Sequence, residues 1–341
     1  GVPYMDIAVA AIIPAALYYC CLYFQVDLRA KRLGLNGLKK EDLPKVSTVL
    51  KSGFMFFVPL VVIVVMLASG TSPMRAGLFS IGVTIVVAAL KKSTRLSFSK
   101  MYKALDLGAR AAVETAIACA ASGFIIGIIG LTGIGLKFSG MIIDISGGIL
   151  IVTLIFTMIT SIILGMGLPT VAAYIVQVPL TIPALIELGV SPLAAHMFVF
   201  YFAALSAITP PVALAAFAAA GLSGSDPMKT GMTAVRLGLA AFIVPYMFVY
   251  GETLLLVGDA PHIILSVVTS IIGIIGVACA AEGWLLRNAF WYERIILFIG
   301  AILMINPGIV TDLIGFAILA LVFFYQKFNP KSTTIEQTIS S

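Results

Sequence analysis

Apolar blocks of about 20 residues, the length that crosses a bilayer as a helix, alternate along this chain with short polar stretches. The first block covers residues 7–24. A polar segment follows, with Arg29, Lys31, Arg32, Lys39, Lys40, Lys45 and Lys51 set against Asp27, Glu41 and Asp42. Two further spans are predicted over residues 54–69 and 76–90, joined by a turn at Pro73. A second basic stretch then carries Lys91, Lys92, Arg95, Lys100 and Lys103. Lys and Arg concentrate in cytoplasmic loops, so both basic stretches are expected inside and the Pro73 turn, with Arg75, outside. The periodicity of residues 94–107 predicts an amphipathic interfacial helix with Leu96, Phe98, Met101 and Leu105 on its apolar side. A solvated loop helix would carry the same pattern.

Residues 111–145 differ. Gly123, Gly127, Gly130, Gly133 and Gly135 punctuate two apolar halves, each too short to span. A re-entrant helical hairpin with its tip at residues 127–135 is favoured over one glycine-rich helix packed on a neighbour. Residues 149–188 exceed one straight crossing and contain Gly165-Met-Gly-Leu-Pro-Thr170, with Pro179 bending or breaking the helix again. Residues 193–221 suit one crossing, interrupted at Thr209-Pro210-Pro211. Spans follow over 232–250 and 262–281, and Glu252 and Asp259 lie in a loop without Lys or Arg that is expected outside. An aromatic and basic anchor follows, with Trp284, Arg287, Trp291, Tyr292 and Arg294. Asn306-Pro307-Gly308 separates a closing helical pair, and the polar tail from Lys327 is expected disordered and cytoplasmic. The fold class is all-α and polytopic. It divides into scaffold and arm helices (1–108), a transport half with hairpin and broken helices (109–222), C-terminal transmembrane helices (223–326) and the tail (327–341).

Composition agrees. Apolar residues make up 61% and charged ones 11%, against roughly 25% charged in soluble domains, and the mean hydropathy is +1.12. The net charge of +6 resides in loops between apolar blocks, which points to lipid rather than nucleic acid as the partner. Cys20, Cys21, Cys119 and Cys279 lie in apolar runs without CxxC spacing, so neither a disulfide framework nor a zinc site is indicated. His196 and His262 are the only histidines, which excludes a histidine-rich metal centre. Gly1 has no charged region or cleavage site after it and reads as a loop within a longer protein.

The chemistry is expected at the two helix breaks. An unsatisfied backbone group in hydrocarbon costs several kcal/mol, so such breaks persist where they line a polar cavity or bury in protein. Paired broken helices near the midplane form the ion and substrate sites of secondary transporters. Between Arg110 and Asp226 the only charged residues are Glu114, Lys137, Asp144 and Glu187, all near predicted segment ends. Neutral oxygens are therefore the candidate ligands. Gly165, Gly167, Thr170, Ser206 and Thr209 could supply carbonyls and hydroxyls to sodium, with Gly165, Thr170 and Thr209 as its expected ligands. Proton coupling would call for an intramembrane carboxylate, and none stands beside the breaks. Half-helices beginning after Pro169 and at Pro211 would turn their positive ends to an organic anion. The bland alternative is that these prolines kink packed helices. His196 reads as a hydrogen-bonded packing residue.

Gly165-Met-Gly-Leu-Pro-Thr-Val-Ala-Ala-Tyr174, then Ser191-Pro-Leu-Ala-Ala-His196 and Ser206-Ala-Ile-Thr-Pro-Pro-Val-Ala-Leu214, resemble the large membrane subunit of TRAP transporters. More narrowly, they are similar to the fused permeases of the TAXI subclass. The resemblance covers residues 1–250 and is strongest over 165–250. It implies an elevator-type permease of two inverted repeats in a bacterial inner membrane, driven by sodium and fed by a periplasmic TAXI-type substrate-binding protein. It further implies an organic anion, such as a carboxylate, as substrate, and no cofactor beyond the coupling ion. By similarity, Gly165, Gly167, Pro169 and Thr170 together with Ser206, Thr209, Pro210 and Pro211 belong to the sodium and substrate region, and Ser122 and Gly123 to the hairpin. The family's first repeat and small-subunit helices lack counterparts in this chain and are expected from elsewhere. A non-transporting scaffold subunit and an intramembrane enzyme stay open as readings. The enzyme would need a motif such as HExxH, GxSxG or an aspartate pair, and none occurs.

Overall fold

The computed structural model describes residues 2–35, 37, 43–90 and 94–329. Among them there is no strand, and seven helices are long and apolar enough to cross a membrane. They are Tyr4–Arg32 (slightly irregular at Ala11), Pro73–Leu90, Phe98–Thr132, Thr170–Glu187, Pro227–Tyr250, Ala260–Glu282 and Ile309–Phe328. The protein is thus an all-α, multi-pass membrane protein. The chain separates into two compact units, residues 2–9 with the described part of 37–117, and residues 10–35 with 118–329.

In the first unit, Phe57–Ala68 and Pro73–Leu90 pair through a short turn in which Gly70 has φ +76°. Ser80 Oγ crosses the pair to donate to Pro59 O at 3.0 Å. Phe57–Ala68 buries none of its residues despite being apolar throughout. A helix that is hydrophobic all round and yet uncovered by protein is suited to a hydrocarbon solvent.

The expected interfacial helix over 94–107 and the separate first arm of a hairpin are not two elements. One helix, Phe98–Thr132, runs 35 residues without interruption, about 50 Å at the usual rise and more than the hydrocarbon thickness. Gly108, Gly123, Gly127 and Gly130 all lie within it, because a helical glycine costs only about 1 kcal/mol relative to alanine. The single break is Gly133, at φ +66°, inside the expected tip. Ile134–Ser146 then packs on Leu150–Gly165 and Thr170–Glu187.

Of the bend or break expected at Pro179 the break does not occur, nor does one at Pro183: Thr170–Glu187 continues through both. Each proline removes the donor for the carbonyl four residues earlier. The carbonyl left by Pro183 is that of Pro179 itself, and here Ile134–Ser146 comes closest: a Cβ on Gly135 would sit 2.5 Å from Pro179 O. One residue on, Ser139 Oγ donates to Leu180 O at 2.8 Å.

The second unit is built on one apolar core. Leu17 and Cys21 of Ile12–Arg32 share it with Phe198 and Phe202 of Pro192–Leu205, Phe248 of Leu239–Tyr250, Ile274 of Ala260–Glu282 and Leu297 of Trp291–Ile305. Ala260–Glu282, Trp291–Ile305 and Ile309–Phe328 pack closely through glycines. A Cβ on Gly273 would fall 2.7 Å from Ala301 O and 2.6 Å from Ile305 Cγ1. Gly273→Ala is therefore expected to lower stability by about 1–3 kcal/mol, since backbone must move. Gly127→Ala meets nothing within 4 Å and should be neutral or slightly stabilising. Thermal unfolding in detergent micelles compares the two, and equal melting points would contradict this packing. The helix Ile309–Phe328 takes in Lys327, where the tail was expected to begin, and the rest of that tail, from residue 330, lies outside the described residues.

Candidate functional site

Two interruptions of helix meet in the second unit. The first follows Leu150–Gly165. Met166 is extended, Gly167 takes φ +77°, and extended Pro169 caps the start of Thr170–Glu187. Only glycine adopts the conformation of residue 167 without strain. The second follows Pro192–Leu205: a short 3-10 turn, Ser206–Ile208, leads into extended Thr209. The Pro210–Pro211 peptide bond is cis. Helix resumes at Leu214–Ser223, capped by Ala213, and not at Pro211 as expected.

The two interruptions touch. Ser206 is buried, and its hydroxyl lies 2.9 Å from Gly165 O and 2.7 Å from Ala203 O, with one proton shared between them. A Cβ on Gly165 would stand 2.6 Å from Ser206 Oγ. A Cβ on Gly167 would meet Val212 Cγ1 at 3.6 Å. Behind the second break, Pro210 and Ile208 rest on Gly231 and Gly238, where a Cβ would come within 2.9 and 2.8 Å of them respectively. The break is thus held from two sides by backbone too close to admit larger residues.

Of the residues singled out from the sequence, Gly165 and Ser206 are in direct contact, and Gly167 lies against the second break. Thr209 Oγ1 turns back to donate to Leu205 O at 2.7 Å, leaving its lone pairs free. Thr170 opens its helix, and Pro169, Pro210 and Pro211 shape the turns. Ser122 and Gly123 sit mid-helix in Phe98–Thr132, ten residues before Gly133. Ser122 Oγ donates within its own helix to Ala118 O at 2.8 Å, and a Cβ on Gly123 would meet nothing within 4 Å. Neither takes part in the contact between breaks. His196 Nδ1 is 2.6 Å from Tyr174 Oη, a packing partnership of the kind the sequence suggested.

A protein-family profile matches residues 1–263, that of the DctM component of tripartite ATP-independent periplasmic transporters. The chain belongs to this family. Both breaks lie inside the match, while Trp291–Ile305 and Ile309–Phe328 follow it. No curated protein and no solved structure matches the chain.

The sequence reading missed a polar stripe in this DctM chain. Thr153, Thr157, Ser161 and Gly165 recur every four residues on one face of Leu150–Gly165, and all four are buried. The facing helix contributes Gln177, whose Nε2 donates to Ser161 O at 3.1 Å. Thr157 Oγ1, Ser161 Oγ and Gln177 Oε1 are buried without a hydrogen-bond partner. Unmet buried groups cost about 1–3 kcal/mol each. Ser161 lies one helical turn and Thr157 two turns before Gly165, with Gln177 on the facing helix, and unpartnered neutral oxygens of this kind are unusual in an apolar core. The i, i+4 spacing was visible, but within an apolar block it reads as helix-internal hydroxyls bonded to their own backbone. Among the described residues, no group of three or more His, Cys, Asp or Glu could hold a metal ion.

Proposed function

We propose that this DctM permease chain supplies one half of a sodium-coupled uptake site for an organic anion, a carboxylate by preference. In this reading a periplasmic binding protein of the TAXI type delivers the solute. The first repeat and small-subunit helices work alongside this chain, and the assembly lies in a bacterial inner membrane with the C-terminus in the cytoplasm. The observation that carries the reading is the Ser206–Gly165 contact, which brings two unwound segments together beside three unpartnered oxygens. Sodium gives up hydration water for carbonyl and hydroxyl oxygens, and Gly165, Thr170, Thr209 and the Thr157–Ser161–Gln177 group offer both kinds.

The anion is accounted for separately. Thr170–Glu187 and Leu214–Ser223 both start at the breaks. The first three amides of each helix have no carbonyl one turn back to receive them. These positive ends favour a carboxylate without a charged side chain nearby. Sodium bound first would strengthen that attraction, which couples the two by charge.

The test is solute uptake into proteoliposomes holding the complete permease, with its binding protein and an imposed sodium gradient. Gly167→Leu and Thr209→Ala are expected to reduce initial uptake by at least about 10-fold, one lost polar contact or one strained backbone turn being worth some 1–3 kcal/mol. His196→Gln should stay within about 2-fold, since glutamine can still meet Tyr174. Uptake that ignores the sodium gradient would remove the ion assignment, and a reversed ranking of the variants would remove the site.

A further inference from the structure

The ends of four helices converge on Glu282, the last residue of Ala260–Glu282, which is buried. Arg236 Nη2 lies 3.3 Å and Arg29 Nη1 3.6 Å from its carboxylate. The carbonyls that end the helix are capped as well: Arg294 Nε donates to Ala280 O at 2.8 Å, Arg236 Nη2 to Ala281 O at 2.6 Å, and Arg32 Nη1 to Glu282 O at 2.7 Å. Arg294 Nη2 adds a second bond to Ala281 O at 3.1 Å. Four guanidinium groups therefore gather at a helix end that carries one carboxylate, two of them against it and two on main-chain carbonyls, and these bonds use only part of the five donors each possesses. Arg29 makes no hydrogen bond here, and its side chain is 46% exposed.

A groove of about 400 Å³ opens at the same place. Its floor is Ala280 and Ala281, its rim is Arg294, and its walls are Leu239, Trp291, Ile295 and Phe298. Trp291 projects outward at the start of its helix, 74% exposed, as tryptophans do at the headgroup level of a membrane. We infer that this groove binds an anionic phospholipid. The phosphodiester rests on Arg294 at the groove, drawn there by the added charge of Arg29 and Arg236 at neighbouring Glu282, and an acyl chain follows Leu239, Ile295 and Phe298 into the hydrocarbon. Charge decides the headgroup: a zwitterionic lipid brings no net charge to answer the surplus of guanidinium groups over Glu282. The apolar walls decide between a lipid and a free phosphate, because inorganic phosphate would leave Leu239, Ile295 and Phe298 uncovered.

Native mass spectrometry of the detergent-purified full permease, titrated with phosphatidylglycerol, phosphatidylcholine or inorganic phosphate, tests this. Phosphatidylglycerol should be retained in preference to phosphatidylcholine, and millimolar phosphate should not displace it. Arg29→Gln combined with Arg236→Gln should weaken retention roughly 10- to 30-fold. Because Arg236 also caps a helix, a second variant, Ile295→Trp, fills the groove and leaves every arginine in place. It should lose the lipid while melting like the parent. Equal retention of the two lipids, displacement by phosphate, or undiminished binding to Ile295→Trp would each overturn the inference.

Discussion

A permease with valine at position 165 is expected to lose sodium-driven uptake by at least about 100-fold. The new Cβ would lie 2.6 Å from Ser206 Oγ, 2.9 Å from Ser206 Cβ and 3.3 Å from Ala203 O. Ser206 has no room to retreat, being buried and hydrogen-bonded on both sides. The strain, about 1–3 kcal/mol for an overpacked site, is relieved by parting the two breaks. Displacements of about 1 Å at a reacting centre cost on the order of 100-fold in enzymes, and a transport site depends on positioning in the same way. Initial uptake rates, normalised to inserted protein, provide the measurement. Gly165→Ala should be intermediate, and adding Ser206→Gly to it should recover part of the loss by clearing both clashing atoms. A valine variant that transports normally would mean that the breaks need not touch.

The largest loss of stability is expected from Glu293→Ala. Glu293 is buried and receives Arg287 Nη2 at 2.7 Å, Arg287 Nη1 at 3.2 Å, Gln326 Nε2 at 2.9 Å and the Phe290 amide at 2.9 Å. The Arg287 side chain is only 9% exposed. Removing the carboxylate strands a buried cation and two further donors at once, which costs about 3–5 kcal/mol. Replacing both partners, Arg287→Met with Glu293→Leu, removes the unpaired charge and should be far milder. Chemical denaturation in mixed micelles measures both, and a single variant costing under about 1 kcal/mol would contradict the burial described for this pair.

What could be read from the sequence was local chemistry. Several spans followed from the length of apolar blocks, although the helices over 54–68 and 192–208 are shorter than a full crossing. The breaks at Gly165–Thr170 and Thr209–Pro211 followed from glycine and proline, whose backbone effects need no distant partner. The same rules failed where a neighbour changed the outcome. Pro179 and Pro183 stay helical in a segment packed against Ile134–Ser146, where Gly135 comes close to the carbonyl Pro183 leaves and Ser139 bonds the next one. The glycines of Phe98–Thr132 cost too little to break a long helix, so the expected interfacial helix and first hairpin arm run on as one. Contacts between distant segments were out of reach altogether. Ser206 and Gly165 are 41 residues apart, and Arg29, Arg236, Glu282 and Arg294 come from four separate helices. Arg294, one residue of the expected interfacial anchor, also closes the end of a neighbouring helix, which no local pattern announces.

The three helices that end the described chain share one core with Ile12–Arg32: Ile274, Val277, Leu297 and Ile305 lie in the same cluster as Leu17 and Cys21. The family match stops at residue 263, so most of this cladding lies beyond what the profile recognises. Mutational drift in that trailing segment is consequently not free. The first helix packs directly on Ala260–Glu282, so a change of side-chain volume there is expected to be felt by both, and the first helix and this later one should vary together.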